Sequence, residues 1–315
     1  GADDLPVGDY TLEVVAEATQ AYREATAEAA FNVRPAVVEM ITVPPSPGVE
    51  FRFDGQTFVA DEEGIARLIA NQPGIYDVEI VIPEELAATK ERAGLNFVRW
   101  DDDQFNAKRT IEVYGDMDKH VGLARSYMIS LAFLDRNGVE VDPARIEEVV
   151  IKSSTGTRYT LEPTAGYVFT SNRVARLNAG LVPTEVQYGL ESVIVDGANV
   201  VNQNQQRFVI TENATWPVDL LLFDAVVRAA DAFFGFPVGT GISLTYPSER
   251  EEFIAFNENN EAVVHNLARG VYKIQVQGVS GMAPLTPMVI SRNQDATLKV
   301  LSTLDMAALG TAGAL

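Results

Sequence analysis

The chain has 315 residues, a formal net charge of -20 and no cysteine. A charge of that sign repels phosphate backbones and anionic lipid, which makes nucleic acid a poor partner; the missing thiols exclude cysteine nucleophiles, thiolate zinc sites, iron–sulfur ligation and disulfides together. Hydrophobic content of 47% fits a folded protein, and the length suits two to four compact units.

Residues 5–33, LPVGDYTLEVVAEATQAYREATAEAAFNV, hold one alternating run at Tyr10, Leu12 and Val14 and a second ending in Ala27, Ala29, Phe31 and Val33. With the polar stretch Thr19 to Tyr22 between them, the pattern predicts a β-hairpin. The alternative is an amphipathic helix over AEATQAYREATAEAA, since Ala and Glu are strong helix formers. The Gly-x-Tyr strand returning into Phe-x-Val resembles the last two strands of bacterial immunoglobulin-like domains. A lone hairpin is marginal in water. Residues 1–35 are therefore expected to close a domain whose other strands lie elsewhere, or to add a strand to another copy or protein partner.

Pro35 opens a linker, and residues 36–92 read as a compact β-sandwich with short strands at 37–43, 49–53, 56–60, 65–69 and 75–82. Asp61, Gly64, Pro73, Gly74 and Tyr76 resemble the turn-and-strand pattern of carboxypeptidase regulatory-like, or transthyretin-like, domains. The resemblance implies a non-catalytic spacer or interaction module. The stretch recurs without a gap near the C-terminus: Ala66 falls on Ala262, Asp61 on Asn257, Gly74 on Gly270 and Tyr76 on Tyr272, and Gly8 to Tyr10 repeats its Gly-x-Tyr ending.

Residues 93–214 form a larger β-domain in this reading, with Asn137-Gly138 as a hairpin turn and a loop-rich middle, 163–183, without assigned elements. Residues 215–303 form a second regulatory-like sandwich. Its stretch 220–234 carries an apolar spacing that also suits a helix; Asp231, Gly235, Pro237 and Val238 resemble the family's opening turn and imply a strand. Residues 304–315 form a tail, either frayed or leading to an anchor outside this chain. The expected fold class is all-β: tandem antiparallel β-sandwiches of immunoglobulin-like and transthyretin-like type.

Chemistry offers few candidates. Asp101, Asp102 and Asp103 are dense enough to ligate calcium, the only cofactor in view, and otherwise form a solvated hairpin tip. DRNGVEVD, 135–142, has oxygens at alternate positions, which the turn already explains. Trp100 and Trp216 are candidate carbohydrate platforms, weighed against ordinary core packing. His120 and His265 lack the context of a catalytic base or a metal cluster, and no nucleophile elbow or phosphate loop occurs. Asn213-Ala214-Thr215 is a glycosylation sequon. No apolar run reaches the length of about 18 residues that spans a membrane, and GADDLPVG does not read as a signal peptide. These features predict an extracytoplasmic, non-enzymatic structural, adhesive or assembly protein of a bacterial cell surface. A carbohydrate-binding module and an accessory subunit of a surface enzyme are the alternatives.

Overall fold

The computed structural model describes residues 5–178 and 180–312, with side chains up to residue 308. Strands make up most of it, so the all-β expectation holds. The chain divides into two units: one runs to Met128 and includes Tyr167–Val186 and Ile210–Asn213, and the other holds Ile129–Gly166, Gln187–Val209 and the chain from Ala214 onward.

The first unit opens with β1 (Gly8–Ala16) and β2 (Ala25–Val33), a two-stranded antiparallel ribbon. Directly opposed residues share a face, so Tyr10, Leu12 and Val14 line up with Phe31, Ala29 and Ala27 as one apolar face. The hairpin expectation holds, and the helical alternative does not form.

Next come β3 (Ala36–Val43), β4 (Glu50–Phe53), β5 (Gln56–Val59), β6 (Ile65–Ala70), β7 (Gly74–Val81), β8 (Gly94–Trp100), β9 (Lys108–Val113) and β10 (Met117–Leu134). In this sandwich β3 pairs β6 and the start of β10, while β5, β4, β7 and β9 make the facing sheet. One core joins Met40, Phe51, Phe53, Leu68 and Val78 to Trp100, Ile111, Val121 and Leu123. It therefore runs across the expected boundary at residues 92 and 93. Strands β8 and β9 bring their apolar faces to the same interior, because β9 continues the sheet edge at β7 and β8 lies against β10.

Beyond β10 follow β11 (Ile146–Ser153), β12 (Arg158–Leu161), β13 (Tyr167–Thr170), β14 (Asn172–Leu177), β15 (Gly180–Glu185), β16 (Gln187–Val195), β17 (Ala198–Asn199), β18 (Arg207–Val209) and β19 (Ala214–Asp219). Strands β13 to β15 fill the stretch without assigned elements and belong to the first unit, where β14 and β15 form a hairpin. In the second unit β11 and β16 form the centre of a sheet flanked by β12, β17 and β18. The Asn137-Gly138 turn forms, with Asp135 Oδ1 accepting from the amides of Asn137 and Val139 at 2.8 and 2.9 Å. The returning strand is shorter than the alternation predicts and reduces to a bridge between Leu134 and Glu140.

The last sandwich consists of β20 (Phe223–Asp231), β21 (Gly241–Thr245), β22 (Glu251–Ala255), β23 (Glu261–Leu267), β24 (Gly270–Gln277), β25 (Gly281–Met282), β26 (Thr286–Ile290) and β27 (Gln294–Ser302). Residues 220–234 carry a strand rather than a helix. Around Val227, Ile242, Leu244, Leu267, Tyr272 and Ile274 lies its core. The expected tail carries α1 (Thr303–Ala312), the one α-helix among the described residues. Ser302 starts it with a capping box: Asp305 N donates to Ser302 Oγ at 3.2 Å and Ser302 N to Asp305 Oδ2 at 3.3 Å. No helix among the described residues is long and apolar enough to cross a membrane.

The two sandwiches share one plan. In the first, β4 pairs β5 and β7, and β7 pairs β9; in the last, β21 pairs β22 and β24, and β24 pairs β26. The opening and closing strands run parallel in both, β3 with β10 and β20 with β27. The sequence reading expected antiparallel sheets throughout. Strands at the two ends of a sandwich pair in whichever direction the intervening strands leave them, and alternation alone does not show it.

Candidate functional site

The Gly-x-Tyr repeat is a tyrosine corner, built three times. Tyr10 Oη donates to Pro6 O at 2.6 Å, Tyr76 Oη to Gln72 O at 2.5 Å and Tyr272 Oη to Ala268 O at 2.9 Å. Each hydroxyl reaches the carbonyl four residues back and fixes the turn that launches its strand. The registers agree as well: Tyr10 faces Phe31, Tyr76 faces Ile111 and Tyr272 faces Met288. Tyr272 is fully buried, and burial pushes its phenol well above the usual range. Nearby, Tyr246 is pushed up to about 12 by burial and by its hydrogen bond to Glu252.

A second repeated device holds the turn before the strand that leads into the corner. Asp61 Oδ1 accepts from the amides of Glu63 and Ile65 at 3.1 and 2.9 Å, and Asn257 Oδ1 accepts from Asn259 and Glu261 at 2.9 and 3.0 Å. A third joins opening and closing strands. Val37 N donates to Asp116 Oδ1 at 2.9 Å, Met128 N to Asn213 Oδ1 at 2.8 Å and Asp224 N to Asn293 Oδ1 at 3.0 Å. In each case the acceptor lies one residue before the closing strand's first parallel pair. The asparagine of the sequon is thus one of these clamps.

The expected calcium ligands do not converge. Asp101 Oδ2 accepts from His120 N at 3.0 Å, Asp102 pairs with Arg109 at 2.6 Å, and Asp103 pairs with Arg99 at 2.6 Å and Arg176 at 2.9 Å. The Arg109 side chain holds Asp102 below the usual carboxylate range, against an upward push from burial. Guanidinium groups neutralise Asp102 and Asp103, Asp101 faces His120 instead, and no metal-sized group of three acidic or histidine side chains occurs among the described residues.

The two tryptophans are core residues, which corrects the expectation of a sugar platform. Trp100 is 0% exposed and donates Nε1 to Asn106 O at 2.8 Å; Trp216 is 5% exposed and stacks on Phe208 at 4.3 Å. Each ring removes more apolar area from water inside the sheets than on them. His120 Nδ1 lies 3.5 Å from Asp118 and His265 Nδ1 lies 3.3 Å from Asp224.

At the end of the last sandwich, Asp231 is fully buried. Its Oδ1 accepts from the amides of Phe233 and Phe234 at 3.1 and 2.7 Å, and its Oδ2 accepts from Ser302 Oγ at 2.5 Å. Burial pushes this carboxyl up, but the Ser302 hydroxyl, the Phe234 amide, the neighbouring Asp305 carboxyl and the Phe233 amide together outweigh it and leave the group below the usual range. The arrangement ties the β20 turn to the start of α1. Sequence reasoning missed it, although Ser302-x-x-Asp305 is a legible capping signal.

Sequence reasoning also missed a cavity of 460 Å³ in the second unit, between the β11–β12 turn and the segment from Asn204 to Arg207 beside β16. Reciprocal bonds set its floor: Ser154 N donates to Gln187 O at 2.7 Å, and Gln187 N donates to Ser154 Oγ at 3.2 Å. Lys152, Ser154, Thr155, Gln187, Asn204 and Arg207 face it.

No family model matches the chain, and no curated protein matches it. Among solved structures, it is similar to the Bacillus anthracis TIE protein at 14% identity and a TM-score of 0.32, over 95% of this chain and 61% of that one. It is also similar to BcpA, the major pilin subunit of Bacillus cereus, at 11% identity and a TM-score of 0.23, over 85% of this chain and 100% of that one. The open conformation of SpaC, a pilus adhesin from Lactobacillus rhamnosus GG, is similar at 10% identity and a TM-score of 0.34, over 88% of this chain and 45% of that one.

Proposed function

We propose that this chain is a non-catalytic structural or adhesive component of a bacterial cell surface, an extracytoplasmic array of immunoglobulin-like and regulatory-like sandwiches that assembles with protein partners. The observation that carries the reading is the N-terminal ribbon. It has the corner hydrogen bond and the register of the two complete sandwiches, Gly8 against Val33 as Gly74 is against Val113 and Gly270 against Ile290. In those sandwiches the tyrosine strand has a further strand on its other edge. In the ribbon that edge is open, and Leu12 and Val14 are 55% and 56% exposed. A two-stranded ribbon with an uncovered apolar face does not offset its own ordering cost, so the proposed role includes completion of a sandwich by strands beyond β1 and β2.

Those strands come from preceding polypeptide, the favoured source, or from a second copy by strand addition. Deleting residues 1–34 and following melting and oligomeric state tests the reading. A folded remainder with unchanged assembly supports the first source, and a folded remainder whose oligomer dissolves supports the second. A remainder that unfolds overturns the placing of the ribbon outside the first sandwich.

A further inference from the structure

The cavity beside β16 has an unusual lining for this protein. The chain carries 44 acidic and 24 basic residues, and cations such as Arg67, Arg99, Arg109 and Arg228 each face a carboxylate within 3.0 Å. The cavity has two cations, Lys152 and Arg207, and no carboxylate in its lining. Neither cation forms an ion pair among the described residues. Arg207 Nε donates to Asn204 O at 3.3 Å, which braces the guanidinium while its terminal nitrogens remain free for a ligand. Asn204 is itself held, with its N donating to Leu190 O at 2.9 Å. The scaffold is thus set before any ligand arrives, which lowers the ordering cost of binding.

We propose that this cavity binds the carboxylate or sulfate group of an acidic oligosaccharide. The guanidinium fork of Arg207 and the ammonium of Lys152 take the oxyanion. The amides of Gln187 and Asn204 and the hydroxyls of Ser154 and Thr155 both donate and accept, as sugar hydroxyls do. An acidic peptide is disfavoured because the lining offers its apolar side chains no counterpart; Tyr188, the one aromatic residue there, is 2% exposed. The cavity volume of 460 Å³ lies in the usual range for small-ligand sites, about 300–1,000 Å³. This site does not depend on the assembly role above, and either can fail without the other.

Isothermal titration of the full chain at fixed ionic strength tests the proposal. The probes are a heparin-derived tetrasaccharide, a tetragalacturonate, neutral maltotetraose, a hexaglutamate peptide and sodium sulfate. Saturable binding of one or both acidic oligosaccharides is expected, with none for maltotetraose; the one that binds names the oxyanion. The Lys152→Ala/Arg207→Ala double variant is expected to bind at least about tenfold more weakly, the scale for losing charge-assisted hydrogen bonds. Both positions are exposed, so an unchanged melting curve will show that the variant is folded, and Gln187→Ala, which removes a side chain and leaves the backbone bonds to Ser154 in place, supplies a second, neutral variant with a weaker loss. The proposal is overturned if neither acidic oligosaccharide binds, if both variants bind like the parent, or if hexaglutamate or bare sulfate binds as tightly as the oligosaccharide.

Discussion

In the first sandwich the turn before β6 is held by Asp61 and the start of β3 by Asp116; in the last, Asn257 and Asn293 stand at the same two places. The backbone amides they receive are equivalent, so the geometry requires an oxygen acceptor and not a charge. Charge adds a partner: Asp61 pairs with Arg67 at 3.0 Å and Asp116 with Arg34 at 2.5 Å. It also adds a dependence on pH that the asparagines lack. Insertions differ as well. Between β7 and β9 the first sandwich carries β8 and Trp100, whereas the last has only the short β25 between β24 and β26. One plan therefore tolerates different chemistry wherever a single oxygen or a single edge strand meets the same backbone need.

The largest expected effect breaks the comparison at the insertion. Replacing Trp100 with Ala should destabilise the first sandwich by about 3–5 kcal/mol, the cost of emptying a large core site, and leave the last sandwich intact in a two-transition melt. A loss below about 1 kcal/mol would show that β8 is peripheral to the core.

Exchanging the left-handed turn residues is the next largest change. Gly64 has φ +76° and Asn260, its counterpart, φ +57°. A Cβ at Gly64 would lie 2.3 Å from Thr42 Oγ1 and 2.7 Å from Ser46 N, whereas Asn260 is exposed. Gly64→Asn should therefore cost about 2–3 kcal/mol through overpacking, while Asn260→Gly should stay within about 0.5 kcal/mol. Denaturant midpoints measure both, and equal losses would refute the crowding at Gly64.

The tyrosine corners sharpen the comparison at a smaller scale. Tyr272→Phe leaves a buried carbonyl unpaired and should cost about 1–2 kcal/mol. Tyr76→Phe, with a half-buried ring and a carbonyl open to water, should cost less than about 1 kcal/mol. Equal costs would mean that the hydroxyl, and not its burial, sets the contribution.

Acid should separate the two sets of latches most subtly. The Ile65 amide and Arg67 hold Asp61 below the usual carboxylate range against an upward push from burial, and the Val37 amide and Arg34 do the same for Asp116. A depressed folded pKa gives stability that is present above the unfolded value, about 3.9, and lost as pH falls through the folded one. Protection of the Ile65 and Val37 amides, taken relative to their intrinsic exchange rates, should fall below about pH 4, while Glu261 and Asp224, bonded to asparagines, keep theirs. Asp61→Asn and Asp116→Asn should remove the difference. Acid sensitivity in the last sandwich belongs to Asp231, where protonation would weaken its acceptor role toward Phe233, Phe234 and Ser302.

Much of the site-scale structure was legible because it is local. The tyrosine corner spans four residues, the Asp61 and Asn257 turns span four, and strand alternation has a period of two, so neighbouring letters carry the information. The gapless match of Tyr76 to Tyr272 marked equivalent strands for that reason. Burial of Trp100 and Trp216 was not legible, because one ring suits a core or a surface until the facing sheet is known. Nor were the partners of Asp101, Asp102 and Asp103, since Arg176 lies 73 positions from Asp103. The cavity at Lys152 and Arg207 joins two strands' ends far apart in the chain. By itself the sequence determined most strands of the two sandwiches, their turns and the Gly-x-Tyr repeat, but neither β13 to β15 nor α1. Tertiary structure alone decided the parallel closure of each sandwich, the clamps at Asp116, Asn213 and Asn293, and which charges neutralise one another, because those depend on pairings that chain order does not encode.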